Sequence, residues 1–316
     1  MKKVLVTCPP MLGLFNEFIE PAKQLGLELV AANTTQVMTE QELIELLPSY
    51  DGWIIGDDPA TKKVFEAAVQ GKLTAAVKWG IGVDNVDFDA CRELNIPIIN
   101  TPNMFGGEVA DVAMSLLLGL TRQTHLIDRE IRNNFAWPKP AGMSIEGRTI
   151  GVVGFGDIGS SLVKRLSGFN VRVIAYDPGV EGNKGYSFVE RASFPELLGE
   201  LDALILTCAL NKHNFHMLDA EVLAQLKPGV LIVNVARGPL IDENALIACL
   251  QAGHVAAAGL DVFEIEPLPK TSPLRTMPQC IFGSHNGSNA IDGVRRATYK
   301  ALEEISGFFK EQCNDD

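Results

Sequence analysis

Between Gly151 and Gly159 the sequence reads Gly-Val-Val-Gly-Phe-Gly-Asp-Ile-Gly, a G-x-G-x-x-G spacing after an apolar run and before the helix-forming run Ser160 to Leu166. Each part of that order serves a dinucleotide pyrophosphate. Gly154 permits a tight turn, Gly156 lets backbone approach the phosphates, Gly159 allows close helix–strand packing, and Asp157 and Ile158 offer the free N–H groups of a helix start. Asp177 stands 18 residues beyond Gly159, at the end of the apolar run Val171 to Tyr176. A carboxylate there accepts both ribose hydroxyl protons and repels a 2′-phosphate. Pro178, Gly179 and Val180 follow it, so the arginine that would receive such a phosphate is missing from its usual place. The expected cofactor is NAD rather than NADP, with Tyr176 and Thr207 among its contacts. An ordinary glycine turn is the weaker reading, since it leaves the strand, helix and acid unexplained.

Three further segments carry reactive side chains at or just after strand ends. They are Asn234-Val235-Ala236-Arg237-Gly238, then Gly259-Leu260-Asp261-Val262-Phe263-Glu264 with Glu266-Pro267, then Ser284-His285-Asn286-Gly287. In parallel α/β folds that edge of the sheet is where ligands bind.

The elements that position these segments are legible as apolar runs. Val4 to Cys8 reads as a buried strand, Glu17 to Leu25 as a helix and Leu27 to Ala31 as a second strand, followed by strands at Gly52 to Ile55 and Ala75 to Lys78. A second β-α series begins at Arg148, with strands at Ile150 to Val153, Val171 to Tyr176, Leu204 to Thr207, Leu231 to Asn234 and Ala256 to Asp261. Repeated β-α units imply parallel sheets wound with helices. Between the two series the spacing predicts one long helix from Glu108 to about Ile131, apolar on nearly every face in its first half, and therefore buried all round. It either crosses between two domains or packs on a second subunit. Ile291 opens a terminal helix with a polar tail.

Composition narrows the class. A chain of 316 residues exceeds the size at which one core keeps growing, so two domains are expected. The formal net charge of -12 opposes polyanions, which excludes nucleic acid as an expected partner. Six cysteines (Cys8, Cys91, Cys208, Cys249, Cys280, Cys313) form no C-x-x-C pair, fitting neither a zinc cluster nor a disulfide framework. The apolar run Val4 to Val6 is too short for a signal peptide, and no 18-residue apolar stretch occurs, so a cytoplasmic protein with no membrane partner is expected.

Taken in order and spacing, the segments from about Lys78 to Gly287 resemble the D-isomer-specific 2-hydroxyacid dehydrogenase family, which includes phosphoglycerate, glycerate and D-lactate dehydrogenases. The resemblance implies a substrate loop at Lys78-Trp79-Gly80-Ile81-Gly82-Val83-Asp84-Asn85-Val86-Asp87, with backbone amides near Gly80 and Ile81 holding the substrate carboxylate. It implies that Arg237 grips that carboxylate and polarises the C2 oxygen, work suited to a planar, permanently charged fork. His285 matches the family acid/base, and imidazole titrates near neutrality. Glu266 matches the carboxylate that hydrogen-bonds the histidine and favours its protonated form, with Glu264 as the fallback. Asp261, helped by a backbone carbonyl near Val235, would hold the nicotinamide carboxamide. Related formate dehydrogenases pair the histidine with an amide, so Glu266 argues against formate. The other histidines, His125, His213, His216 and His254, read as surface or loop residues.

The resemblance also implies the architecture: a flavodoxin-like substrate domain, residues 1–101 plus 289–316, with a Rossmann NAD domain, 102–288, inserted into it. The active site is expected in a cleft, with hinges near residues 101 and 288 and a homodimer as the assembly. Asp57 and Asp58 stand where phosphoglycerate enzymes commonly place an arginine, and two acids there would repel a phosphate, whereas Lys78 could assist an anionic tail. The expected activity is NAD-dependent interconversion of a small D-2-hydroxy acid and its 2-oxo acid. The alternative is an NAD(H)-sensing interaction module like the family's corepressor relatives, against which Arg237, Glu266 and His285 weigh.

Overall fold

Two sets of parallel strands, each built from β-α repeats, divide the chain into two compact units: Met1–Phe105 with Ser288–Asp316, and Gly106–Gly287. The computed structural model describes residues 1–312. The polar tail expected after the last helix, Cys313 included, lies outside them.

The first unit begins β1 (Lys2–Val6), α1 (Pro9–Gly13), α2 (Phe15–Gln24), β2 (Leu27–Ala31), α3 (Glu40–Leu46), β3 (Gly52–Ile55), α4 (Lys62–Val69), β4 (Ala75–Lys78), α5 (Phe88–Glu93) and β5 (Ile98–Asn100). Short polar residues start α3, α4 and α5. The Thr39 hydroxyl accepts from Glu42 N–H while Glu42 returns a bond to the Thr39 N–H, and Thr61 and Asp87 cap α4 and α5. All pairings are parallel in the order β2-β1-β3-β4-β5. This is the flavodoxin-like order, and its direction reverses between β1 and β3. Leu5, Trp53, Ile55, Val64 and Phe65 fill one core of the unit.

The second unit runs α6 (Gly106–Arg122), α7 (Thr124–Asn134), β6 (Thr149–Val153), α8 (Asp157–Leu166), β7 (Arg172–Tyr176), β8 (Val189–Arg191), β9 (Ala203–Leu206), α9 (Ala220–Gln225), β10 (Val230–Asn234), α10 (Glu243–Ala252), β11 (Val255–Leu260) and β12 (Ile281–Phe282). Its seven strands pair in the order β12-β11-β10-β9-β6-β7-β8. Read from β6 outward this is the doubly wound Rossmann order with one strand added at an edge, so the carboxyl ends of β6, β7 and β9 to β12 share one rim.

The chain then re-enters the first unit through α11 (Ile291–Gln312), which packs on β4 and α2. A side chain at Gly52 of β3 would meet Ile305 at 2.8 Å and Phe309 at 2.9 Å, so the helix lies directly on the sheet.

Two expectations are corrected. The single helix from Glu108 to about Ile131 is two helices, because Gln123 adopts a left-handed φ of 53° and ends α6. Its apolar half is buried within its own unit, where α6 packs on α8, β10, β11 and β12. The units also divide after Phe105 and before Ser288, not after residue 101 and before 289. Residues 101–105 stay with the first unit because Thr101 N–H donates to the carbonyls of Lys78 and Gly80 and the Phe105 ring lies 4.9 Å from that of Trp79.

Among the described residues no helix is long and apolar enough to cross a membrane.

Candidate active site

The glycine turn joins β6 to α8. Gly154 takes a φ of +92°, and a side chain there would lie 2.6 Å from the Cys208 backbone nitrogen. A side chain at Gly159 would collide with the Gly154 carbonyl. At Gly156 it would meet nothing within 4 Å, so the turn is shaped from within at two glycines and open outward at the third. Ahead of that opening are the Asp157 and Ile158 N–H groups, which have no intrahelical acceptor in any first turn. This set fits a dinucleotide pyrophosphate. Thr207 Oγ1 donates within reach of Val153 O (3.0 Å) and Gly154 O (2.8 Å), so its hydroxyl braces the turn from below. Burial pushes the Cys208 thiol beside the turn up to about 11, leaving it a neutral thiol near pH 7.

Asp177 follows β7. Its Oδ2 accepts from Phe155 N–H at 2.6 Å and its Oδ1 from Gly179 N–H at 2.8 Å, which clamps the carboxylate at the mouth of the turn. Asp157 points its carboxylate at the start of α6, where a side chain on Gly106 would collide with it. Tyr176 departs from its expected role: its ring is buried against Phe194 and its hydroxyl donates to Glu196 O at 2.8 Å. Alternation along the strand turns this side chain into the core and leaves only its carbonyl, which accepts from Gly154 N–H, facing the turn.

The loops after β10, β11 and β12 are adjacent because their strands are. Asn234 shapes the first: its Oδ1 accepts from Ala236 N–H at 3.0 Å and its Nδ2 donates to Arg237 O at 2.8 Å. Val235 is buried, and Arg237 is half-buried with Nη1 2.8 Å from Ala236 O. A side chain at Gly238 would collide with the Phe263 carbonyl, so this loop lies directly on the one carrying Glu266.

His285 Nδ1 lies 2.7 Å from Glu266 Oε2, with the two side chains 20% and 23% exposed. Glu266 Oε1 accepts from Phe263 N–H at 2.9 Å, so the acid is fixed by its own loop. Glu264, the fallback, is directed elsewhere: its Oε1 accepts from Glu243 N–H at 3.0 Å and stands 2.7 Å from His216 Nε2. Burial, reinforced by the Glu264 charge, raises the carboxyl of Glu243 above the ordinary carboxylate range even though it accepts a backbone hydrogen bond.

Asp261 is buried, and its two oxygens accept from Asn286 N–H at 3.1 Å and Gly287 N–H at 2.8 Å, while its carbonyl accepts from His285 N–H at 2.7 Å. The aspartate expected at the nicotinamide thus holds the histidine loop, in which His285 keeps a left-handed φ of 55°. Neither this loop-holding role nor the His216 contact with Glu264 has a signal in the sequence.

The expected substrate loop lies in the first unit. Gly80 N–H donates to Thr101 Oγ1 at 2.8 Å, so that amide is committed within the unit and Ile81 remains as the amide named for the carboxylate. Trp79 is buried, its Nε1 donating to Thr298 Oγ1 at 3.1 Å. Lys78 is buried, with Nζ 3.2 Å from Asp57 Oδ1 and 3.1 Å from Trp79 O. The two acids after β3 therefore do not act together. Asp58 is fully buried and accepts from Thr7 Oγ1, from Met38 N–H at 2.8 Å and from Gly56 N–H at 3.2 Å. Only Asp57 stands outward, and Lys78 offsets its charge.

A glycine turn built for a pyrophosphate and a carboxylate-tethered histidine on the same sheet rim define a dinucleotide-dependent oxidoreductase. The comparisons give its family. Residues 114–287 match the model described as D-isomer specific 2-hydroxyacid dehydrogenase, NAD binding domain. The hydroxypyruvate reductase of Thermotoga maritima is 34% identical over 285 residues, covering 88% of this chain and 90% of that protein. The D-3-phosphoglycerate dehydrogenase of Mycobacterium leprae is 35% identical over 267 residues, 84% of this chain but 50% of that longer protein. The apo-structure of D-lactate dehydrogenase from Escherichia coli superposes with a TM-score of 0.83 at 26% identity, covering 98% of each chain. The chain belongs to the D-isomer-specific 2-hydroxyacid dehydrogenase family, and its class is NAD-dependent oxidoreduction of 2-hydroxy acids.

Proposed function

We propose that the protein interconverts a small D-2-hydroxy acid and its 2-oxo acid, with His285 as acid/base, Glu266 as its carboxylate partner and Arg237 as the group that binds the substrate carboxylate and C2 oxygen. The observation that carries this reading is the 2.7 Å contact between His285 Nδ1 and Glu266 Oε2. A proton on Nδ1 held by the carboxylate leaves proton exchange to Nε2. In the oxidative direction Nε2 takes the hydroxyl proton, and Glu266 stabilises the resulting imidazolium. In the reductive direction the same nitrogen returns it. Bound NAD supplies the two-electron chemistry at C2. Arg237 would bring a planar, permanently charged guanidinium to the substrate, a charge that stays in place as negative charge grows on the C2 oxygen.

The test is NADH oxidation with glyoxylate, hydroxypyruvate, pyruvate, 2-oxoglutarate and phosphohydroxypyruvate, for the wild type and His285→Ala. Turnover of one or more of these acids is expected, abolished in the variant while NADH affinity is kept. Normal turnover by His285→Ala would remove the acid/base assignment.

We also infer a homodimer. Ile131 of α7 is 39% exposed, and Phe135 and Trp137 beyond it are 93% and 79% exposed, apolar side chains that a second copy would cover. Light scattering on the eluted protein should give twice the chain mass, and a monomer would refute it. A cytoplasmic location fits the five described cysteines, all free thiols.

A further inference from the structure

Between β7 and β8 the chain folds back over the glycine turn. Gly182, Lys184 and Gly185 take left-handed φ values of 67°, 51° and 85°, and the reversal carries the Lys184 side chain to the turn. Lys184 Nζ lies 2.7 Å from Phe155 O and 2.6 Å from Ser160 Oγ, with the Phe155 ring centroid at 4.9 Å. These atoms belong to the turn and to the first coil of α8, the surface whose amides address a pyrophosphate. A lysine, unlike glycine, holds a left-handed φ at a cost, so its backbone is set by the loop and its ammonium is delivered to one place.

The charges around the turn make that placement consequential. Asp177 is clamped at its mouth, so a doubly negative diphosphate meets a further carboxylate close by, while Asp157, at the first position of α8, turns its own toward the start of α6. The helix start contributes only partial positive charge. Arg191, the other cation on the Phe155 ring, donates through Nη2 to Asp177 O and, at 2.9 Å, to Val180 O, while its Nη1 is buried without a hydrogen-bond partner among the described residues. Lys184 is exposed and its anchors are a single carbonyl and a hydroxyl, neither of them charged.

We propose that Lys184 is a ligand of the cofactor diphosphate, exchanging its hold on Phe155 O or Ser160 Oγ for a phosphate oxygen and supplying countercharge beside the Asp177 carboxylate. The inference rests on the glycine turn being the cofactor site. The lysine lies outside the glycine fingerprint and on a different loop, so no sequence motif marks it.

Calorimetric titration of the full chain tests it, using ADP-ribose, NADH and NADPH as probes on wild type, Lys184→Met and Lys184→Arg, with thermal melting to confirm that the variants fold. Because the lysine is exposed, Lys184→Met should weaken ADP-ribose and NADH alike by about fivefold to tenfold, and Lys184→Arg should restore most of the loss. Wild-type affinity for ADP-ribose should also fall more steeply with salt than that of Lys184→Met. A loss confined to NADPH would place the ammonium at the 2′-phosphate and overturn the proposal. Affinities within twofold of wild type for all three probes would overturn it as well. Failure of wild type to bind either ADP-ribose or NADH would instead remove the cofactor-site reading, and the proposal with it.

Discussion

Glu266→Gln keeps the size of the side chain that holds His285 and changes what it can accept. Both carboxylate oxygens are in use, Oε1 by Phe263 N–H at 2.9 Å and Oε2 by His285 Nδ1 at 2.7 Å. An amide has one acceptor, so glutamine must leave one donor facing its NH2 group. If its oxygen keeps Nδ1–H, Phe263 N–H loses its partner and the charge assistance on the imidazole is gone. If the amide turns the other way, Nδ1 must itself accept, the proton moves to Nε2, and the base needed for oxidation is lost. Replacing a charge-assisted hydrogen bond by a neutral one and stranding a half-buried donor together cost about 2 to 4 kcal/mol. Expressed in the transition state, that is a fall in kcat of about 30- to 1,000-fold. Steady-state reduction of the best 2-oxo acid measures it, with the NADH dissociation constant determined in parallel. A kcat within threefold of wild type, or a loss that appears equally in NADH affinity, would refute the assignment of Glu266 as the partner of the histidine.

Further substitutions separate neighbouring roles. Gly156→Ala adds a methyl that meets nothing within 4 Å, whereas at Gly159 it collides with the Gly154 carbonyl; the first variant should melt like wild type yet bind NADH more weakly, and the second should lose both stability and binding. Glu264→Gln removes the acid beside His216 and should cost under about 1.5 kcal/mol in unfolding free energy with kcat nearly unchanged, so a kcat as low as that of Glu266→Gln would mean that the two acids share the catalytic role. Burial raises the Asp58 carboxyl above its ordinary value despite hydrogen bonds from Met38, Thr7 and Gly56. A group raised in the fold favours folding while protonated and loses that contribution as pH climbs from the ordinary carboxylate range through the folded value, so Asp58→Asn should destabilise most in acid and less toward neutrality, the opposite trend in melting curves counting against this reasoning.

The parts of the site legible in the sequence are those whose geometry is local. A turn that needs a positive φ at Gly154 and close packing at Gly159 lies within one strand–turn–helix, and residue order alone specifies it. Apolar runs likewise announced the longer strands, while β5, β8 and β12, of two or three residues each, are too short to show a period. The break in the helix expected from Glu108 to about Ile131 has no signal in the sequence, because a left-handed Gln123 breaks no rule of composition.

What the sequence by itself determined is the pair of β-α series, the cofactor class and the reactive residues on one sheet rim. Only the tertiary structure decided which way each of those residues faces. Glu264 and Glu266 are two positions apart and chemically alike, yet one meets His216 and α10 while the other meets His285, since each is directed by a loop packed beside it from a distant part of the chain. Asp261 holds the histidine loop and Lys184 reaches the glycine turn for the same reason. A side chain's partner is set by the strand order that brings separated segments together, and no spacing along the chain encodes that juxtaposition directly.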